Sequence, residues 1–80
     1  MIICFVLLDV KSSLVRKVFK AVKEIKEVKE VYIIFGEHDI IAKIEVNEAR
    51  EALNIIIDRI GQIPGVDTHV TYEALEEKSE

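Results

Sequence analysis

The sequence predicts a single α+β domain over residues 1–80, and three observations predict it. Four apolar, β-branched runs stand at Ile2–Val10, Val28–Phe35, Ile40–Val46 and Val66–Leu75. Two stretches with apolar residues at the helical period separate the first run from the second and the third from the fourth. Between the second and third lies only the short polar break Phe35-Gly36-Glu37-His38-Asp39, which joins them as a hairpin. Right-handed crossovers then place both helices on one face of an antiparallel four-stranded sheet, the βαββαβ ferredoxin-like sandwich.

Taken in order, Ile2–Val10 has no polar alternation, so both faces of this strand need cover. Helices cover one face, and a second subunit is expected on the other. Lys11-Ser12-Ser13 offers a hydroxyl cap for the first helix. Its stripe is Leu14, Val15, Val18, Phe19, Val22 and Ile25, with Arg16, Lys17, Lys20 and Lys23 on the solvated side. Val28, Val31, Ile33 and Phe35 lead along the second strand, with Tyr32 and Ile34 on its other face. In the hairpin, Gly36 supplies a positive φ and Asp39 folds its carboxylate onto nearby amides. The third strand points Ile40, Ala42, Ile44 and Val46 one way and Ile41, Lys43 and Glu45 the other.

Asn47 is the expected cap of the second helix, which runs to about Gly61. Its inner stripe is Ala49, Ala52, Leu53, Ile56 and Ile60, while Ile55 and Ile57 widen the apolar surface toward a partner. Gly61 suits a helix C-terminus, and Ile63-Pro64-Gly65-Val66 makes a turn that Pro64 keeps from returning to helix. In the last strand Val66, Thr68, Val70 and Tyr72 share one face, and Asp67, His69, Thr71 and Glu73 share the other. Glu76–Glu80 is a charged, frayed end.

Composition narrows the function. A chain of this length buries a modest share of its surface, so oligomerisation is the expected supplement to its stability. The net charge of −4 argues against direct nucleic-acid binding, and the basic-glycine-aromatic RNA-binding pattern is missing. The apolar start is interrupted by Asp9 far short of a membrane span and lacks a signal-peptide pattern, which gives an expectation of a soluble, cytoplasmic protein. The single cysteine, Cys4, reads as a small buried hydrophobe.

Catalytic and metal patterns are not found. Two histidines give no Ser-His-Asp order, and Glu37, His38, Asp39 and His69 lack paired metal-ligand spacing, so no metal or cofactor is expected. The polar residues left over are Gly36, Asp39, His69 and Thr71. They read either as plain turn and strand-surface residues or as an amino-acid site. In the second case amides take the α-carboxylate and Asp39 takes the α-ammonium.

The run Val28-x-x-Val-Tyr-x-x-x-Gly-x-x-Asp-Ile-Ile-Ala-Lys-Ile, followed by Ile63-Pro64-Gly65-Val66 before a threonine-bearing strand, resembles the effector-binding domain of the Lrp/AsnC regulators. This is the domain of regulation of amino-acid metabolism, and the resemblance spans Ile3 to Leu75. It implies dimerisation through the sheets, further association up to a tetramer of dimers, and a small amino-acid effector bound between dimers near the hairpin. By the resemblance the effector-binding residues are Phe35, Gly36, His38, Asp39, Gly61, Gln62, His69 and Thr71. His38 stands where the family commonly has an aromatic residue, and His69 where it has serine or threonine. The family's helix-turn-helix module has no counterpart ahead of the first strand. The expectation is therefore a stand-alone effector domain without direct DNA contact, able to co-assemble with full-length regulators. Two other readings stand beside it: a small dimeric α+β barrel enzyme, isomerase or monooxygenase-like, using His38 or His69 for proton transfer, and a purely structural oligomeriser.

Overall fold

The computed structural model describes residues 1–78, so Ser79 and Glu80 of the expected frayed end lie outside the described residues. The elements are β1 (Ile2–Val10), a 3₁₀ turn at Ser12–Leu14, α1 (Val15–Lys23), β2 (Val28–Ile33), β3 (Ile40–Val46), α2 (Ala49–Asn54) continued by a π-helical segment at Ile55–Ile60, and β4 (Val66–Glu73). The sheet is antiparallel throughout in the order β2-β3-β1-β4, which is the ferredoxin-like arrangement. β1 lies inside, pairing with β3 from Ile2↔Val46 to Leu8↔Ile40 and with β4 from Cys4↔Glu73 to Leu8↔His69. β2 and β4 form the two edges.

The strand alternation divides this sheet into two faces. Cys4, Val6, Leu8 and Val10 of β1, with Ile40, Ala42, Ile44 and Val46 of β3, are buried under the helices. Val18, Val22 and Ile25 cover them from α1, and Ala52, Ile55, Ile56 and Ile60 from the second helix. The open face carries two cross-strand rows, Tyr32-Ile41-Leu7-Val70 and Glu30-Lys43-Phe5-Tyr72. Within the second row Lys43 Nζ lies 3.5 Å from Glu30 Oε2, and it also lies 3.6 Å from Glu45 Oε2. Tyr32 donates to Glu30 Oε1 at 2.6 Å. That bond, ahead of the Lys43 charge, holds the Glu30 carboxyl below its ordinary range. A thin polar thread thus crosses the apolar middle of this face.

Several local expectations change. Ser12 and Ser13 do not cap α1 with their hydroxyls, because a 3₁₀ turn is inserted and Leu14 holds the cap position. Asn47 is displaced as the cap of α2 by Glu48, whose extended backbone leads into the helix without a side-chain bond. The buried stripe of the second helix takes in Ile55 and leaves Leu53 56% exposed and Ile57 48% exposed. Three consecutive β-branched isoleucines crowd a regular α turn, and the chain opens there to i→i+5 bonding. One such bond runs from Gly61 N–H to the Ile56 carbonyl at 2.8 Å. Gly61 stays right-handed, at φ −63° and ψ −18°, so it is not a left-handed cap. A Cβ there would sit 3.1 Å from the carbonyls of Ile56 and Ile57.

β4 shifts register between Thr68, opposite Asp9, and Val66, opposite Val10. This bulge at Asp67 turns Val66 toward the core rather than onto the face of Thr68. The strand ends at Glu73, short of Leu75, which is exposed. β2 ends at Ile33, so Phe35 belongs to the loop. Gly65, at φ +106°, lets the Pro64 turn close on α1: its carbonyl accepts from Lys11 N–H at 2.9 Å, and a Cβ would meet Leu14 at 3.0 Å.

Candidate functional site

The predicted site residues fall into two groups, which meet β1 from opposite sides at Leu8, bonded to Asp39 and paired with His69. Phe35, Gly36, His38 and Asp39 lie in the β2-β3 loop at one end of the sheet. Gly61, Gln62, His69 and Thr71 lie along the second helix's end and the edge strand β4.

In the first group the loop is anchored at its C-terminal side. Asp39 N–H donates to the Leu8 carbonyl at 2.9 Å, and Ile34 N–H donates to the Asp39 carbonyl at 2.8 Å. Asp39 Oδ2 accepts from Val10 N–H at 2.8 Å. The carboxylate therefore extends the β1 ladder one step beyond the last backbone pair instead of folding onto amides of its own loop. Gly36 takes φ +147°, and nothing lies within 4 Å of where its Cβ would be. Phe35 beside it is wholly exposed at 106%.

His38 turns back over the open face. Its Nδ1 is 2.9 Å from Asp9 Oδ1, and its Nε2 is 3.7 Å from Glu37 Oε1. The other Asp9 oxygen, Oδ2, accepts from the Thr68 hydroxyl at 2.5 Å. This Thr68 bond, and after it the His38 bond, holds the Asp9 carboxyl below the usual aspartate range. Asp9, Thr68 and His38 thus link β1, β4 and the hairpin in one chain of polar contacts. Sequence reasoning missed Asp9 and Thr68. The available signal was Asp9 itself, a lone acid inside an apolar strand run, which needs partners wherever it is half-buried.

Of the second group, His69 and Thr71 line a groove of about 440 Å³ on the helix side, between β4 and the second helix, and Gly61 and Gln62 are not among its lining residues. His69, Thr71 and Glu73 form one wall, Leu53, Ile56 and Ile57 form the other, and Cys4 is at the floor. Successive β4 residues on this wall alternate at i, i+2 and i+4, so they stand roughly 6.6 Å apart along the strand. A Cβ at Gly61 would be 3.6 Å from His69 Nε2, so the two residues meet at the groove's end as a pair. Gln62 spends its amide on the helix, donating to the Ile57 carbonyl at 3.3 Å. Burial, and then the nearby Glu73 carboxylate, push the Cys4 thiol up, so it stays a protonated hydrophobe. Among the described residues no cluster of three or more potential ligands could hold a metal ion, and no helix is long and apolar enough to cross a membrane.

Comparison with known proteins gives this geometry a context. The model of the Lrp/AsnC ligand binding domain matches residues 3–80. A Thermus thermophilus protein superposes over 100% of both chains with a TM-score of 0.94 and 26% identity. Escherichia coli AsnC superposes with a TM-score of 0.92 at 18% identity, covering 99% of this chain and 54% of that one. A Neisseria meningitidis transcriptional regulator, solved as its L-Met complex, gives a TM-score of 0.88 at 17% identity over 99% of this chain and 53% of that one. At these identities the two regulators share the fold, and the chain spans about half their length. No curated protein matches the sequence. With the family model covering the chain from Ile3 onward, the protein belongs to the Lrp/AsnC ligand binding domain family.

Proposed function

We propose that this protein is an amino-acid-sensing oligomerisation module that binds a small effector between dimers. It acts by co-assembling with full-length regulators of its family. The observation that carries the reading is the hairpin tip. Phe35 stands clear of its own protomer next to the permissive Gly36, while Asp39 pins the loop's other end to β1. An aromatic side chain held in water by an anchored loop is placed to meet a second molecule. The open face supports the dimer beneath it: Phe5, Leu7, Ile41, Val70 and Tyr72 have no cover from their own chain's helices. An isologous two-fold contact is the common solution for such a face. An effector shifts the assembly only through different affinities for its alternative states.

The enzymatic alternative calls for a deep cleft closed around a histidine. The groove beside His69 is instead rimmed by the half-exposed Leu53 and Ile57, and His38 is already held by Asp9. A non-enzymatic, regulatory role in the cytoplasm is the reading the family supports.

The test is Phe35→Ser followed by light scattering. The variant is expected to keep the dimer and lose the higher assembly, together with its response to amino acids. A variant that retains the full assembly and its effector response would overturn the hairpin's role. An intact wild-type assembly that binds no amino acid at millimolar concentration would overturn the sensing role.

A further inference from the structure

We infer that the edge strand β2 takes up an extended, acidic segment of a partner protein as a further strand of the sheet. β2 pairs on one side only, with β3. Ile34 N–H donates to the Asp39 carbonyl across the hairpin, and backbone groups alternate in direction along a strand. Glu30 and Tyr32 therefore bond to β3 in step with Ile34, while Val31 and Ile33 aim their N–H and carbonyl groups outward. The bulge at Lys29 ends that regular stretch. An edge with unpaired backbone groups is a template for another chain.

The flank of this edge selects what fits it. On the helix side, Phe19 and Lys23 of α1 and the β2 residues from Val28 to Tyr32 enclose a groove of about 480 Å³. Phe19 is only partly buried there. A second hollow, of about 400 Å³, follows along the strand at Val15, Arg16 and Ile33. Alternate side chains of an added strand fall over this apolar seam. The surround is basic. Seven of the chain's eleven lysines and arginines lie between Lys11 and Lys29, against two of its fifteen acids, Glu24 and Glu27. All seven are exposed, and among the described residues none is in an ion pair. The other edge, β4, has the opposite character: it carries Asp67 and Glu73 and no lysine or arginine. A polypeptide strand that alternates apolar and acidic residues answers the β2 edge in backbone, seam and charge together. A phosphate chain answers the charge but leaves the seam and the outward carbonyls without a complement.

Titration of the full chain in its native assembly with two acetylated, amidated peptides tests this, one alternating glutamate with valine and the other lysine with valine. The acidic peptide is expected to bind and to slow hydrogen exchange at the Val31 and Ile33 amides. The lysine peptide should bind at least ~10-fold more weakly, because like charges brought together reject a partner. Ile33→Pro removes one outward N–H at an edge position that tolerates proline. It should weaken the acidic peptide by ~3-fold or more, the scale of one hydrogen bond. Lys23→Glu combined with Lys29→Glu should reverse the preference between the peptides. Equal binding of the two peptides, binding of neither at millimolar concentration, or a preference unmoved by the lysine substitutions overturns the proposal. So does acidic-peptide binding that Ile33→Pro leaves unchanged, since that is adhesion to the charge of α1 alone. A fall in peptide-free solution mass on Ile33→Pro also overturns it, because β2 is then paired with a second copy of the chain.

Discussion

The two faces of this sheet solve opposite problems with similar residues. On the open face the polar groups are partnered: Asp9 by His38 and Thr68, Glu30 by Tyr32 and Lys43. On the helix face, where β4 runs out from under cover, His69, Thr71 and Glu73 point into a groove with an apolar far wall. Polar groups that satisfy one another specify structure, because an orphaned partner is costly. Polar groups left in an apolar groove are available to a ligand. The contrast is the ground for proposing that the open face carries assembly.

The largest effect that can break this contrast is at Lys43. Replacing it by glutamate would gather a third carboxylate between Glu30 and Glu45 on the proposed dimer face. Like charges brought together in a desolvated contact oppose association strongly. Lys43→Glu is therefore expected to dissociate the dimer in sedimentation experiments, and a dimer of unchanged stability would place the interface elsewhere.

Asp39→Ala comes next. It strips Val10 N–H of its acceptor, and an unsatisfied, partly buried donor costs ~1–3 kcal/mol in chemical denaturation. Thr71→Val, on the groove wall, should change stability by less than ~0.5 kcal/mol, as surface substitutions do. If the two substitutions cost the same, the division between structural and available polar groups fails.

The smallest effect is a titration. The Asp9 carboxyl is held below the ordinary aspartate value in the folded chain, so the fold favours its ionised form. The contribution is complete above that ordinary value and is lost as pH falls through the depressed one. Thr68→Ala removes the leading cause, and NMR titration should then find the Asp9 midpoint moved upward. A midpoint that stays put would remove Thr68 from the latch.

Much of the frame was legible because periodicity reports burial. The alternation of Ile40, Ala42, Ile44 and Val46 and the stripe at Val18 and Val22 appear in the core as the pattern indicates. Gly36 has the positive φ its place in the hairpin suggests. The rest depended on contacts distant in sequence. Asp39 reads locally as a turn acid, but its partner is Val10, 29 positions away. Thr68 meets Asp9 across 59 positions. The bulge at Asp67 and the π segment at Ile55–Ile60 each change which side chains face inward, and neither leaves a period that a regular strand or helix template detects. Thus Val66 and Ile55 reach the core, and Leu53 becomes a groove wall.

The central claim is that an assembly of this chain binds an amino acid. Equilibrium dialysis of the intact assembly against each amino acid, with its mass followed by light scattering, tests it directly. The account predicts saturable uptake of at least one amino acid at or below millimolar concentration, accompanied by a change in mass. An intact assembly that takes up none of them would contradict it.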